Sequence, residues 1–265
     1  LPLDIVLVAT ANPEDYTNRG RIITPLKDRF GAQIRTHYPP DAATELRIAE
    51  LEADLPGRGR AAGEGSVAAP HVDVPEFMAE VVAEFSQLAR QSPHLNQRSG
   101  VSVRLTIANY ETLVANATRR ALRNGESSAV PRVSDLQSLI SSTQGKVEIE
   151  SLEEGREEAV LSQIFNAAVL LVFRRRVHLA EPQAVVGAFT EETVVHAGDD
   201  LASSAYAETL ELVPALSAPV LSLTGGSEDP AMVASATEFI LEGLHLTKRL
   251  NKEAAGTRAT YRGRG

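Results

Sequence analysis

Three polar residues in this chain have the types and positions that phosphoryl transfer requires. That reaction asks little covalent work of a protein. It needs a group that orients the attacking water and groups that neutralise charge on the transferring phosphate. Asn12 fits the first need, because it follows the apolar run Ile5-Val6-Leu7-Val8-Ala9 and would stand at the carboxyl end of a strand, where open α/β sheets bind ligands. Arg29, within Pro25-Leu26-Lys27-Asp28-Arg29-Phe30-Gly31, fits the second: its guanidinium is permanently charged and forked to meet phosphate oxygens. Arg104 could serve likewise from the first turn of a helix opening near Ser102. An arginine there opposes the helix dipole unless an anion compensates. Each residue also has a plainer reading. Asn12-Pro13 can simply end a strand, and Asp28-Arg29 can be a surface pair closing a short helix.

The elements that must position these residues follow from periodicity. Ile5 to Ala9 is continuous in Val, Ile and Leu, as strands covered on both faces are, and Ala32, Ile34, Thr36 and Tyr38 alternate with polar residues as a half-exposed strand of the same sheet would. Between them, Thr24-Pro25 opens a short helix that Gly31 closes. After Pro39-Pro40 the pattern is mainly helical. Asp41 caps a helix carrying Leu46, Ile48, Leu51 and Leu55, residues 56–70 form a flexible Gly- and Ala-rich loop, and Pro75 begins a helix with Phe77, Val81, Phe85 and Leu88 on one face. The helix from Ser102 places Ile107, Tyr110, Val114, Ala117 and Ala121 at spacings of three and four and stops at Gly125. A shorter helix spans Pro131 to Ser141, a small strand Lys146 to Glu150, and a long helix Glu153 to Arg176. Short elements then run to Gly225, and a last helix with Pro230 in its first turn carries Val233, Ala236, Ile240 and Leu244. The carboxyl-terminal arginines 258, 262 and 264 read as a solvated tail, and Arg174-Arg175-Arg176 as a helix end where cations offset the dipole.

Composition narrows the function classes. The 265 residues carry a formal charge of -9, which argues against wholesale nucleic-acid binding. Without cysteine there are no disulfides, thiolate metal sites or cysteine nucleophiles. The longest apolar run, Ala167 to Phe173, is far below the ~20 residues that span a bilayer, so the expected location is cytoplasmic. The six histidines, at 37, 71, 94, 178, 196 and 245, form no HExxH pair, and no metal site is expected. Neither GxSxG nor GxxxxGK[ST] occurs. Gly145-Lys146 comes nearest the latter, but Val147 follows it and Ile140 stands where the first glycine belongs. The chain thus reads as starting inside a domain whose earlier half is missing.

Taken together, VATANPEDYTNRGRIITPLKDRFG resembles the sensor 1 and arginine-finger region of AAA+ ATPases, closest to the magnesium chelatase I-subunit and MoxR-like group. SGVSVRLTIANYE resembles the start of sensor 2, where Gly-x-Ser-x-Arg opens a lid helix. The clear motifs cover residues 5–38 and 98–123. Val160 to Leu216 resembles the group's helical extension more loosely. The resemblance implies a mainly α chain with a small α/β remnant: residues 1–40 ending a AAA+ core, a helical lid over 41–145, and a helical extension over 146–265. By position, Asn12 becomes sensor 1, Arg29 the finger reaching a neighbouring subunit's nucleotide, and Arg104 sensor 2. It further implies ATP and Mg2+ as cofactors, the other subunits of a homo-oligomeric ring as partners, and a von Willebrand factor A-type protein as the remodelled client. Without a phosphate loop or a magnesium-binding acidic pair, this chain alone is expected not to hydrolyse ATP. Beyond residue 125 the likeness does not extend to porphyrin metallation. The rival expectation is a catalytically silent helical interaction or regulatory domain that retains part of an ATPase fold.

Overall fold

The computed structural model describes residues 5–10, 28–55, 70–96, 100–149, 156–179, 182–190 and 192–264. The chain divides into two units, 1–38 and 39–265. Asn12, most of the expected helix from Thr24, nearly all of the expected loop 56–70 and the first turn of the expected helix from Glu153 lie outside the described residues.

In the first unit, the expected strands at Ile5 to Ala9 and Ala32 to Tyr38 are corrected. Residues 5–10 and 30–38 carry no strand assignment. Ile5, Val6, Leu7 and Val8 are 70–91% exposed, and Ile34 and Tyr38 are exposed as well. The physical reason is pairing: an apolar strand becomes buried only when neighbours complete its ladder and other elements cover its faces, and the described residues of this unit supply neither.

The second unit is mainly helical with small sheets. Helix α1 (Ala42–Glu52) starts where Asp41 Oδ1 accepts the Thr44 N–H at 2.7 Å. Strand β1 (His71–Val72) runs into α2 (Glu76–Gln91), which Pro75 precedes. Helix α3 (Val103–Asn124) is capped by Ser102 and ended by Gly125 in the left-handed region at φ 69. Strand β2 (Ser128–Ala129) pairs in parallel with β1, His71 opposite Ser128. A 3-10 turn (Val133–Gln137) leads into α4 (Ser138–Gln144). Among the described residues, the strand expected at Lys146 to Glu150 reduces to a single bridge between Leu95 and Ile149.

Helix α5 (Arg156–Arg176) lies along α2, with the rings of Phe85 and Phe165 stacked 3.8 Å apart. Its terminal Arg175 and Arg176 reach across to Glu80, which α2 presents one turn from its start. After α6 (Pro182–Gly187), β3 (Val195–Gly198), α7 (Tyr206–Leu212) and α8 (Ser217–Leu223), the chain enters α9 (Pro230–Leu246). Helix α9 is buried on nearly every side, as a helix enclosed by others must be: Ala234, Ala236, Phe239, Ile240, Leu241 and Leu244 are all inaccessible. Phe239 packs between Phe77 of α2 and Phe173 of α5.

The helical extension expected over 146–265 is also corrected, because it carries a three-stranded sheet. Strands β4 (Leu250–Ala255) and β5 (Arg258–Gly263) form a hairpin, and β3 pairs with β5 to give an antiparallel sheet in the order β3-β5-β4. The two-residue turn has Gly256 at φ 63, a conformation glycine adopts without the Cβ penalty. The segment expected as a solvated tail is therefore a central strand, with Tyr261 opposite Val195 and both buried.

Candidate functional site

Of the three residues expected to act on a phosphate, Arg104 has the best-defined surroundings. Gly100 turns the chain at φ 68, where a side chain would be strained. Val101 is buried and anchors the corner. Ser102 caps α3, its Oγ accepting the Arg104 N–H at 3.3 Å. Arg104 then projects from the first turn, exposed, and its side chain makes no hydrogen bond or ion pair among the described residues. The first turn of α3 holds no acidic residue to offset that charge. Gly100 and Ser102 thus have separate physical roles in the corner, and Arg104 stands exposed in the first turn of a 22-residue helix.

Arg29 lies in a turn with Asp28, exposed, in the first unit. Asn12 lies outside the described residues. Of the two that are described, Arg29 belongs to the first unit and Arg104 to the second.

Sequence reasoning did not find the buried ionic groups behind this corner. Glu45 of α1 is fully buried and takes a bidentate pair of bonds, both 2.5 Å, from the Arg90 guanidinium of α2. The Glu45 carboxylate also accepts from Thr106 Oγ1 at 2.5 Å and Gln87 Nε2 at 2.9 Å. Arg90 Nε donates to the Val101 carbonyl at 2.9 Å. Glu45 interrupts the apolar face of a short helix, a mismatch visible in sequence, but its partners are 42 to 61 positions away.

A second buried network fills the far side of the unit. Arg120 of α3 bonds Asp135 at 3.0 Å and the Val130 carbonyl at 2.6 Å. Burial works against its charge, but Asp135, Glu238 and Glu126 more than compensate and hold its pKa above the ordinary arginine value. Arg132 lies over the Tyr206 ring, 5.0 Å from its centre, and bonds Ser203 and the Leu201 carbonyl. Glu238 accepts from the Ser134 N–H at 2.8 Å and from the Tyr206 hydroxyl. One turn on, Glu242 accepts from Tyr261 at 2.6 Å and Lys252 at 2.7 Å. Both tyrosine hydroxyls are pushed well above their ordinary pKa, first by burial and then by the adjacent carboxylate.

These two carboxylates line a cleft of about 350 Å³ between the 3-10 turn, α5, α9 and the β-hairpin. Each carboxylate there already has hydroxyl or ammonium partners, so the arrangement is that of a satisfied polar core rather than an acid–base pair awaiting substrate. Among the described residues no group of three His, Asp or Glu side chains is arranged to hold a metal ion, and no helix is long and apolar enough to cross a membrane. Comparison with protein-family models, with curated proteins and with solved structures gives no match, so the Gly100–Arg104 corner stands on its own geometry.

Proposed function

We propose that this chain is the carboxyl-terminal portion of a ring-forming AAA+ ATPase of the magnesium chelatase I-subunit and MoxR-like type, coupling ATP hydrolysis to the remodelling of a partner protein. The observation that carries the reading is the corner at Gly100–Arg104. It places an exposed arginine, unpaired among the described residues, where the helix dipole disfavours it, a position that becomes favourable when a phosphate binds. The chemistry of the residues supports the remaining roles. Asn12 would orient water, Arg104 would contact phosphate within its own subunit, and Arg29, exposed in its turn, would reach a neighbour's nucleotide. ATP would supply the phosphoryl group and Mg2+ the counter-charge. The chain's own residues fit the phosphate and not the metal. The client would be a partner of the von Willebrand factor A type.

The exposed apolar run Ile5–Val8 favours a second reading, a silent module that uses this segment for assembly alone. Ring complementation separates the two. In the assembled ATPase, Arg29→Ala should abolish turnover while nucleotide binding persists, since arginine fingers supply roughly 10³ to 10⁵ in rate. Mixing that variant with subunits whose phosphate loop is disabled should restore activity, because one interface then pairs an intact nucleotide site with an intact arginine. Mixed rings that assemble but stay inactive would remove the trans role. A single variant that hydrolyses ATP normally would leave Arg29 a surface residue and favour the silent module.

A further inference from the structure

We infer that Glu45, Arg90 and Thr106 are positioning residues that set the direction in which Arg104 points. The inference rests on the reading of Arg104 as a phosphate-contacting residue. Arg104 sits between two anchors on the same ion pair. Three residues before it, the Val101 carbonyl accepts Arg90 Nε at 2.9 Å. Two residues after it, Thr106 Oγ1 donates to Glu45 at 2.5 Å, with Ser86 Oγ 2.8 Å away. At about 100° per residue, positions 104 and 106 face roughly opposite sides of the helix, so fixing Thr106 inward fixes Arg104 outward.

The type of contact matters. Apolar packing would hold α1, α2 and α3 together as firmly, since a buried ion pair gains little over a well-packed apolar replacement. The bidentate bonds, by contrast, are directional and fix Glu45 and Arg90 against each other, so that their single bonds to Thr106 and to the Val101 carbonyl resist rotation of α3 about its axis. A rotation of about 10° moves a guanidinium by about 1 Å, and misplacement on that scale can cost about 10²-fold in rate.

The test is turnover in the assembled ATPase, with Arg104→Ala as reference. Glu45→Gln is expected to lower kcat about 10-fold or more, and the double variant Glu45→Gln/Arg104→Ala to be no slower than Arg104→Ala alone. Since Glu45→Gln leaves Arg90 without its buried counter-charge and could unfold the lid, Thr106→Val provides a gentler arm. It removes the Thr106 contacts to Glu45 and Ser86 while keeping the ion pair, and should lower kcat about 3-fold in the native background and not at all beside Arg104→Ala, while Thr106→Ser retains activity. Losses that multiply with that of Arg104→Ala, or a Thr106→Val variant of full activity, would overturn the positioning role while leaving Arg104 in place. An Arg104→Ala variant that turns over normally would overturn both.

Discussion

Gly243 of α9 passes so close to Phe173 of α5 that a Cβ at Gly243 would stand 2.0 Å from the ring's Cδ2. Gly243→Ala should therefore destabilise the protein by about 2 kcal/mol or more, although alanine favours a helix interior by about 1 kcal/mol. Urea unfolding measures the difference. Pairing it with Phe173→Leu should recover part of the loss, and a stabilised single variant would show that the two helices can part freely.

Arg104→Ala should change folding stability by less than about 0.5 kcal/mol, because it removes no hydrogen bond or ion pair among the described residues and relieves an opposed dipole. Ser102→Ala, which deletes the cap two residues earlier, should cost about 1 kcal/mol. Thermal unfolding of both variants checks the contrast. A clear loss for Arg104→Ala would give that side chain a structural task instead.

Calorimetry on the 265-residue chain by itself should detect no micromolar affinity for ATP. A phosphate loop makes most contacts to the β- and γ-phosphates, and the sequence has none. Micromolar binding would mean that another element holds the phosphates.

Acid should loosen the α2–α5 clamp. Burial alone would raise the Glu80 carboxyl, but the hydrogen bonds and charges of Arg176 and Arg175 outweigh it and hold the pKa below the ordinary 4.5. A depressed folded-state pKa stabilises fully above the unfolded value, and that contribution is lost as pH falls through the folded one. Glu80→Gln should cost roughly 1 kcal/mol near neutrality and flatten the stability curve below about pH 4.5. An unchanged acid limb would show that the clamp contributes nothing.

Alkali should reveal two classes of tyrosine. Tyr206 and Tyr261 are buried against Glu238 and Glu242, which holds their protons well past the ordinary 10. A raised folded-state pKa stabilises below the unfolded value and is lost as pH climbs towards the folded one, so these two should ionise only as the protein unfolds. Tyrosinate absorbance that rises in a single reversible step near pH 10 would contradict their burial.

How far the sequence could be read depended on the range of the cause. Asp41, Ser102, Gly125 and Pro230 act within one helical turn, so the helix ends they mark are legible. The hairpin was missed because β4 carries one large apolar residue, Leu250, and its inward positions become clear only beside Ala259, Tyr261 and Gly263. Ile5 to Ala9 has a strand's composition, but pairing decides whether a strand forms, and pairing is not local. At the candidate site, the order Gly100, Ser102, Arg104 marked the corner. The Glu45–Arg90 pair behind it joins α1 to α2 across 45 positions, and no local pattern announces such a contact.

Helix α3 has a mechanical consequence of its own. Its 22 residues make a rod about 33 Å long, with Arg104 at one end. At the other end, Arg123 and Asn124 grip the carbonyls of Asp199 and Leu201, just past β3. Pivoting that rod by about 5° about its capped end would sweep the far tip through about 3 Å, the length of one hydrogen bond. A small displacement at the arginine would thus arrive magnified at the sheet, so the turn that leaves β3 is where the stroke of such a lever would be largest.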